Sequence, residues 1–480
     1  MTAPYAFYFD ARFCSGCKAC QTACKDRNRL PPGVLWRRVY EVTGGGWEQS
    51  GGAWTSTVFA YNLSVACNHC VHPKCAGVCP VDAYRVREDG IVLLDSSKCT
   101  GCGYCAWACP YGAPQLDRRA GIMGKCNFCH EEIDAGLPPA CVAACPLRVL
   151  DFGGALPETA ALPGSRALWQ VPPAEHPYPL PVYSRTEPHL AIRPHPGMER
   201  PEEKQVANVE EIRPQPRSGW EEAPLVMFTL LCQMAAGALW WVPWLLTPLW
   251  ALVQYDARGL RLAALSVIGV CLGAGMAASF AHLGRKRNAW RMLRHVRKSW
   301  LSRELLFAVL FGAGWLAILL ATVAAANPAP WMGVTALLGA GLVYSMGQVY
   351  RLRAVPAWNT WRTNTGFFIS ALLSGLLLAA ALLAFESQRS GILIPALRWR
   401  QIGILALALL GLRAGFGTPG ISDPEAKRLW RWLLAVGTAS AAAVFLVPAL
   451  VSPWALLLVL LVVMAEEGLG RWVFYEARVR

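Results

Sequence analysis

The pattern of apolar positions divides the chain in two. From Pro224 onward, long apolar segments alternate with short polar loops. Before it, apolar residues come in short runs broken by Gly, Pro and Cys. Eight of the later segments approach the roughly 20 residues a helix needs to cross a bilayer: 224–247, 260–283, 304–326, 331–350, 365–385, 401–417, 432–451 and 453–473. The sixth has Arg398 and Arg400 at its start. Trp240, Trp241, Trp244 and Trp250 suit an aromatic belt at a membrane surface, and Cys232 and Cys271, inside apolar helices, read as small packing residues. Residues 156–223 are rich in Pro and charge, and a stretch such as PPAEHPYPLP (172–181) predicts an extended strap. Its histidines, His176, His189 and His195, lack paired spacing and read as surface residues. The pattern thus predicts an α+β domain over 1–200, a linker over 201–223 and an all-α polytopic membrane bundle over 224–480.

Composition sharpens this division. At 480 residues the chain is too long for one ordinary domain. Sixteen of its 18 cysteines precede residue 146. A net charge of +14 would suit a nucleic-acid binder. The basic residues sit in short loops between apolar segments, however, where membrane topology explains them and no nucleic-acid partner is expected. The stretch from Met1 to Phe13 has no basic-then-apolar run and no twin arginine, so no export signal is expected there.

The cysteines fall into four groups of four: Cys14, Cys17, Cys20, Cys24; Cys67, Cys70, Cys75, Cys79; Cys99, Cys102, Cys105, Cys109; and Cys126, Cys129, Cys141, Cys145. The first and third read C-x2-C-x2-C-x3-C, the bacterial ferredoxin run, in which three thiolates hold one cubane and the fourth serves another. A tight loop wraps three corners of a cluster, and the fourth corner points away. Pro80, Pro110 and Pro146 stop three of the loops, whereas the first has Lys25 in that place. Zinc ribbons also use C-x2-C pairs, but they rarely need a third and a fourth Cys so close. A secreted disulfide framework fits neither the spacing nor the missing signal. Sixteen ligands make four [4Fe–4S] clusters, and the α+β domain is expected to be ferredoxin-like.

The supporting stretches WRRVYEVTGGGW (36–47), VFAYNLSVACNHC (58–70), CGYCAWACPYGAPQ (102–115) and CPLRVLDFG (145–153) resemble the iron–sulfur subunit of the dimethyl sulfoxide reductase family of molybdenum enzymes. The likeness covers about residues 4–196, with TEPHLAIRPHPG (186–197) as the subunit's tail. It implies two ferredoxin-like halves that exchange fourth ligands. Cys14, Cys17 and Cys20 would join Cys145, and Cys126, Cys129 and Cys141 would join Cys24. Cys67, Cys70 and Cys75 would join Cys109, and Cys99, Cys102 and Cys105 would join Cys79. Spacing alone permits other pairings.

The later half is similar to the membrane-anchor subunit of the same family, through GWEEAPLVMFT (219–229), SFAHLG (279–284), SWLSREL (299–305), VPAWNTW (355–361) and EGLGRWVFY (467–475). Quinone chemistry moves protons as well as electrons, so its site needs proton-exchanging groups near the membrane edge. His282 ends the second helix and Glu304 begins the third, so both face one side. They fall where the anchor family has the His and Glu of its quinol site. A headgroup role for His282, or a helix-N-terminal one for Glu304, is the plainer alternative. The only other histidine in this half is His295, in a basic loop, so a bis-histidine haem is not expected. Glu467 is expected to pair with Arg471, four residues on, beside Glu466. Tyr350 and Trp358 are expected at the membrane interface, with a place in the lining of the quinone site as the alternative.

These features imply an electron-transfer and membrane-anchor subunit. Quinol from the membrane pool would give electrons near His282, and four clusters would conduct them to a separate molybdopterin catalytic subunit that reduces an S-oxide, N-oxide or sulfur oxyanion. The same wire could run in reverse, from a sulfite-type donor to quinone. A redox-linked ion transporter would show charges deep in the membrane, and these helices carry theirs mostly at the ends. The loop 285–303 holds eight Lys and Arg and no acid, on the side shared with the N-terminal domain. Positive charge favours the cytoplasm, so the cluster domain is expected on the cytoplasmic face of the inner membrane. Docking of that loop on the cluster domain, or its binding to anionic lipid, is the alternative reading.

Overall fold

The computed structural model describes residues 4–154, 186–199, 204–206, 219–253, 258–391, 393–416, 424–447 and 450–476. Most of the Pro-rich stretch, His176 included, lies outside the described residues, as does the side chain of Trp250. The chain forms two compact units, 1–216 with 287–291, and 217–286 with 292–480.

The first unit contains, in order, β1 (Tyr5–Asp10), α1 (Ala19–Arg27), β2 (Arg38–Gly44), β3 (Trp47–Ser50), β4 (Ala53–Ser56), β5 (Phe59–Val65), α2 (Lys74–Val78), β6 (Tyr84–Val86), β7 (Val92–Leu94), α3 (Tyr104–Ala108), β8 (Gln115–Asp117), β9 (Ile122–Gly124), α4 (His130–Asp134), α5 (Ala140–Ala143), β10 (Leu150–Gly154), β11 (Leu190–Arg193) and β12 (Lys204–Val206). In β1 the two-residue period of a strand turns Phe7 and Phe9 into the core. β1 pairs antiparallel with β10 and parallel with β11. That pairing carries the start of the chain to the segment that follows the fourth cysteine group. β2 is central in a second sheet, between β12 and β5, and buries Val39 and Val42 against Leu63 and Val65. Three two-stranded hairpins complete the strands. A short helix runs through each cysteine group, and these helices pack in two pairs, α1 with α5 and α2 with α3. The result is an α+β ferredoxin-like unit.

The second unit is all helical: α6 (Gly219–Val253), α7 (Arg258–Ala281), α8 (Trp300–Val323), α9 (Ala329–Tyr350), α10 (Trp361–Ser390), α11 (Ala396–Phe416), α12 (Pro424–Leu446) and α13 (Pro453–Glu476). Among the described residues, eight helices are long and apolar enough to cross a membrane. Their outward side chains include Val270, Leu337, Ile404 and Leu458, which suits contact with acyl chains. α10 is the most enclosed. It crosses α6 so closely that a Cβ on Gly237 would stand 1.8 Å from the Ala371 carbonyl oxygen. Small residues at such a crossing let backbones meet, which is how helices associate where lipid is as apolar as Leu. Cys232 and Cys271 are buried packing residues, as expected. Trp240 and Trp241, both half-buried, donate to the carbonyls of Ala336 and Leu372 on neighbouring helices, at 3.0 and 2.8 Å. One expectation fails here. Tyr350 and Trp358 are buried in the bundle, Trp358 completely. An aromatic residue near a helix end has an interfacial look in sequence, but here the ends of α9, α10 and α13 converge over it.

Candidate functional site

The cysteine loops bend through left-handed residues. Gly16 and Lys18 flank Cys17, Gly101 and Gly103 flank Cys102, and Phe128 and Cys129 follow Cys126. This turn folds a short stretch around a common centre. Gly16 has no alternative there: a Cβ would come within 2.6 Å of Asn62 Oδ1, and Asn62 holds the loop by donating to the Cys14 carbonyl at 3.2 Å.

None of the 18 cysteines is in a disulfide. One cavity of about 20 Å³ is lined by Cys14, Cys17, Cys20 and Cys145. A second of about 20 Å³ is lined by Cys67, Cys70, Cys75 and Cys109. The thiols that act on Cys24 are Cys141 and Cys129, and Cys24 acts on Cys126 in turn. Cys102 faces Cys79 and Cys99, and Cys105 faces Cys102 and Cys79. Each gathering takes three thiols from one group and one from another. Neighbouring gatherings lie within electrostatic reach of one another: Cys141 acts on Cys20, Cys67 on Cys126, and Cys75 on Cys105. The four therefore form a row.

Burial, with repulsion from neighbouring thiols, pushes Cys24, Cys70 and Cys102 up to about 12, and Cys14 and Cys109 up to about 11. Thiolates crowded in this way need compensating positive charge, which iron supplies. Backbone N–H groups already point at sulfur: Gly101 and Met123 to Cys99, Ala83 to Cys79 and Phe128 to Cys126, at 3.3–3.4 Å. Such donors favour anionic sulfur and tune iron–sulfur centres. Among the described residues, no three His, Cys, Asp or Glu are gathered tightly enough for a single metal ion. A cubane holds its thiolates farther apart, so these sets fit it better than zinc.

In the helical unit, His282 follows the end of α7, half-buried, with Nδ1 against the Ser279 carbonyl. Glu304, in the first turns of α8, is 3% exposed. Cys232 and Tyr350 lie within its field. The Tyr350 hydroxyl meets that of Tyr475 at 2.9 Å, and Trp358 donates to the Phe474 carbonyl at 2.6 Å. The expected Glu467–Arg471 pair takes a different form. Glu467 pairs with Arg413 at 3.0 Å and accepts from Ser370 at 2.8 Å. Arg471 donates to Gln233 at 3.0 Å and to the same Ser370 hydroxyl at 3.2 Å. Glu466 reaches Arg413 at 3.5 Å and accepts from Trp430 Nε1. Charged side chains do lie inside this bundle, in a network of two Arg and two Glu whose formal charges balance.

Residues 217–476 match the family model described as the DMSO reductase anchor subunit (DmsC). The chain belongs to this family. Residues 58–155 match a 4Fe-4S dicluster domain, so this member of the anchor family carries its iron–sulfur domain on the same polypeptide. The iron–sulfur part is 45% identical over 194 residues to one chain of the anaerobic dimethyl sulfoxide reductase of Escherichia coli, covering 40% of this polypeptide and 90% of that relative. It is 42% identical to the formate dehydrogenase iron-sulfur subunit of Wolinella succinogenes, over 31% of this polypeptide and 80% of that relative. It is 41% identical to one subunit of the tetrathionate reductase of Salmonella typhimurium, over 29% and 54%. The fused chain is thus a multi-pass membrane protein with [4Fe–4S] clusters and electron-transfer function.

Sequence reasoning missed two features of this DmsC-family protein. Arg37 and Lys125 are buried among the cysteine sets, but in sequence they look like any basic residue beside a strand. Arg413 stands 53 positions before Glu466, so no short-range pattern could join them. Its position inside an apolar segment was the available signal.

Proposed function

We propose that this chain oxidises membrane quinol and passes the electrons to a separate molybdopterin-containing catalytic subunit. The observation that supports it most is the row of four cysteine sets, each within electrostatic reach of the next, on a chain that also carries the anchor. Cys14, Cys17, Cys20 and Cys145 would hold the first [4Fe–4S] cluster, and Cys24, Cys126, Cys129 and Cys141 the second. Cys67, Cys70, Cys75 and Cys109 would hold the third, and Cys79, Cys99, Cys102 and Cys105 the fourth. Each cluster, once bound, would supply one-electron chemistry. Quinol loses two electrons and two protons, so two passages of the wire complete one turnover. His282 and Glu304, on one side of the bundle, would bind the quinol and take its protons without haem.

The relatives act with dimethyl sulfoxide, formate and tetrathionate enzymes. That range favours substrate choice in the catalytic partner, here an S-oxide, N-oxide or sulfur-oxyanion reductase. A formate dehydrogenase among the relatives also favours keeping the reverse direction, toward quinone, as the second reading. The basic loop 285–303 favours a cluster domain on the cytoplasmic face of the inner membrane.

Iron and acid-labile sulfide should each be about sixteen per chain. His282→Leu should abolish cluster reduction by a quinol while dithionite still reduces all the clusters. Wild-type quinol reduction in that variant would remove His282 from the site, and zinc in place of iron would refute the wire. A haem absorbance band in the purified protein would refute the haem-free anchor.

A further inference from the structure

Arg37 is 1% exposed and lies within the electrostatic reach of thiols from two of the cysteine sets. Its backbone N–H serves the Cys24 thiol. Its Nη1 donates to the Ser64 hydroxyl at 3.2 Å, and that hydroxyl stands 3.3 Å from Cys20 Sγ. The guanidinium lies 4.4 Å from the centroid of the Phe7 ring, a contact that suits a cation in an apolar core. Two of its nitrogens, Nε and Nη2, have no protein acceptor. The charges that favour it are the thiols of Cys141, Cys20, Cys126 and Cys24, which come from both sets. A buried cation with idle donors is costly unless an anion meets it, and no carboxylate does so among the described residues.

We propose that Arg37 is a potential-setting residue shared by two clusters, the one held by Cys14, Cys17, Cys20 and Cys145 and the one held by Cys24, Cys126, Cys129 and Cys141. The inference rests on the cluster assignment above. Each cluster gains one electron on reduction, and no proton need follow. A fixed guanidinium with free N–H donors favours that added negative charge, and both net charge and hydrogen bonds to sulfur set such potentials. Arg37 therefore makes these two clusters easier to reduce than their thiolates alone would.

The test is a redox titration of the full chain in membranes, followed by electron paramagnetic resonance, with iron counted in the same samples. In Arg37→Gln two clusters should become at least tenfold harder to reduce at fixed potential, a 59 mV shift for one electron. Arg37→Lys, which keeps the charge, should recover part of it. Unchanged midpoints with full iron, or one equal shift in all four clusters, would overturn the proposal and leave the cluster assignment standing. If Arg37→Gln fails to hold iron, the unsubstituted protein decides. Nitrogen-15 label in arginine should give hyperfine coupling to the reduced clusters, and its absence overturns the proposal. Iron far below sixteen in the unsubstituted protein would instead defeat the cluster assignment.

Discussion

Replacing Arg413 by Met isolates what the buried charge network contributes. Glu466 and Glu467 are adjacent in sequence, each 1% exposed, and Arg413 serves both, at 3.5 and 3.0 Å. Removing it leaves two carboxylates side by side in an apolar bundle. Ser370, Trp430 and the more distant Arg471 remain to share the charge. Breaking a buried pair by deleting one partner costs about 3–5 kcal/mol, because the remaining charge is uncompensated. For a unit of this size each kcal/mol moves the unfolding midpoint by about 2–4 °C, so the expected fall is roughly 6–20 °C. Removing all the charge is a different perturbation. Arg413→Met with Glu466→Gln and Glu467→Gln should regain most of the loss, since neutral replacement of a whole buried ionic group is often near neutral. The assay is thermal unfolding in detergent, followed by tryptophan fluorescence, with the visible cluster absorbance as a check on the first unit. An unshifted midpoint in Arg413→Met, or a triple variant less stable than the single one, would refute the reasoning.

The crossing of α6 and α10 gives a second stability test. Gly375→Ala should lower the midpoint because its Cβ would come within 2.2 Å of the Gly237 backbone; overpacking of this kind costs about 1–3 kcal/mol. Gly366→Ala, on the same helix with nothing within 4 Å, should be neutral or stabilising by up to about 1 kcal/mol, and equal effects would refute the close crossing. Cys102→Ser should remove or convert one cluster, with iron falling toward about twelve per chain if the cubane is lost; loss of all the clusters would contradict separate ligand sets. For topology, a C-terminal fluorescent protein should be bright and a C-terminal alkaline phosphatase inactive, and the opposite result would put the cluster domain outside the cytoplasm.

Cluster chemistry and membrane spans were legible in the sequence because both are short-range. A C-x2-C-x2-C loop sets three thiols by local backbone turns, and a span is a continuous apolar run whose length is fixed by the bilayer. Even the weakest span, with Arg398 at its start, is the helix α11, and that guanidinium lies over the Trp244 ring, 3.8 Å from its centroid. Helix ends were less legible: α10 runs from Trp361 to Ser390, beyond the expected 365–385, because helical hydrogen bonding continues past the apolar run into polar ends, where Glu386 and Arg389 pair at 2.6 Å. Which cysteine completes which set was not legible from spacing at all. β1 pairing with β10 brings Cys145 back to Cys14, and no local signal encodes that return. The same holds for Arg37, whose importance lies in what surrounds it, and for Glu467, whose partner is Arg413 on another helix rather than Arg471 one turn away. By itself the sequence determined what each segment is, since propensity, period and ligand spacing act over a few residues. Only the tertiary structure decided which buried charges and thiols meet, because those contacts join residues far apart in the chain and are selected by the packing of the whole unit.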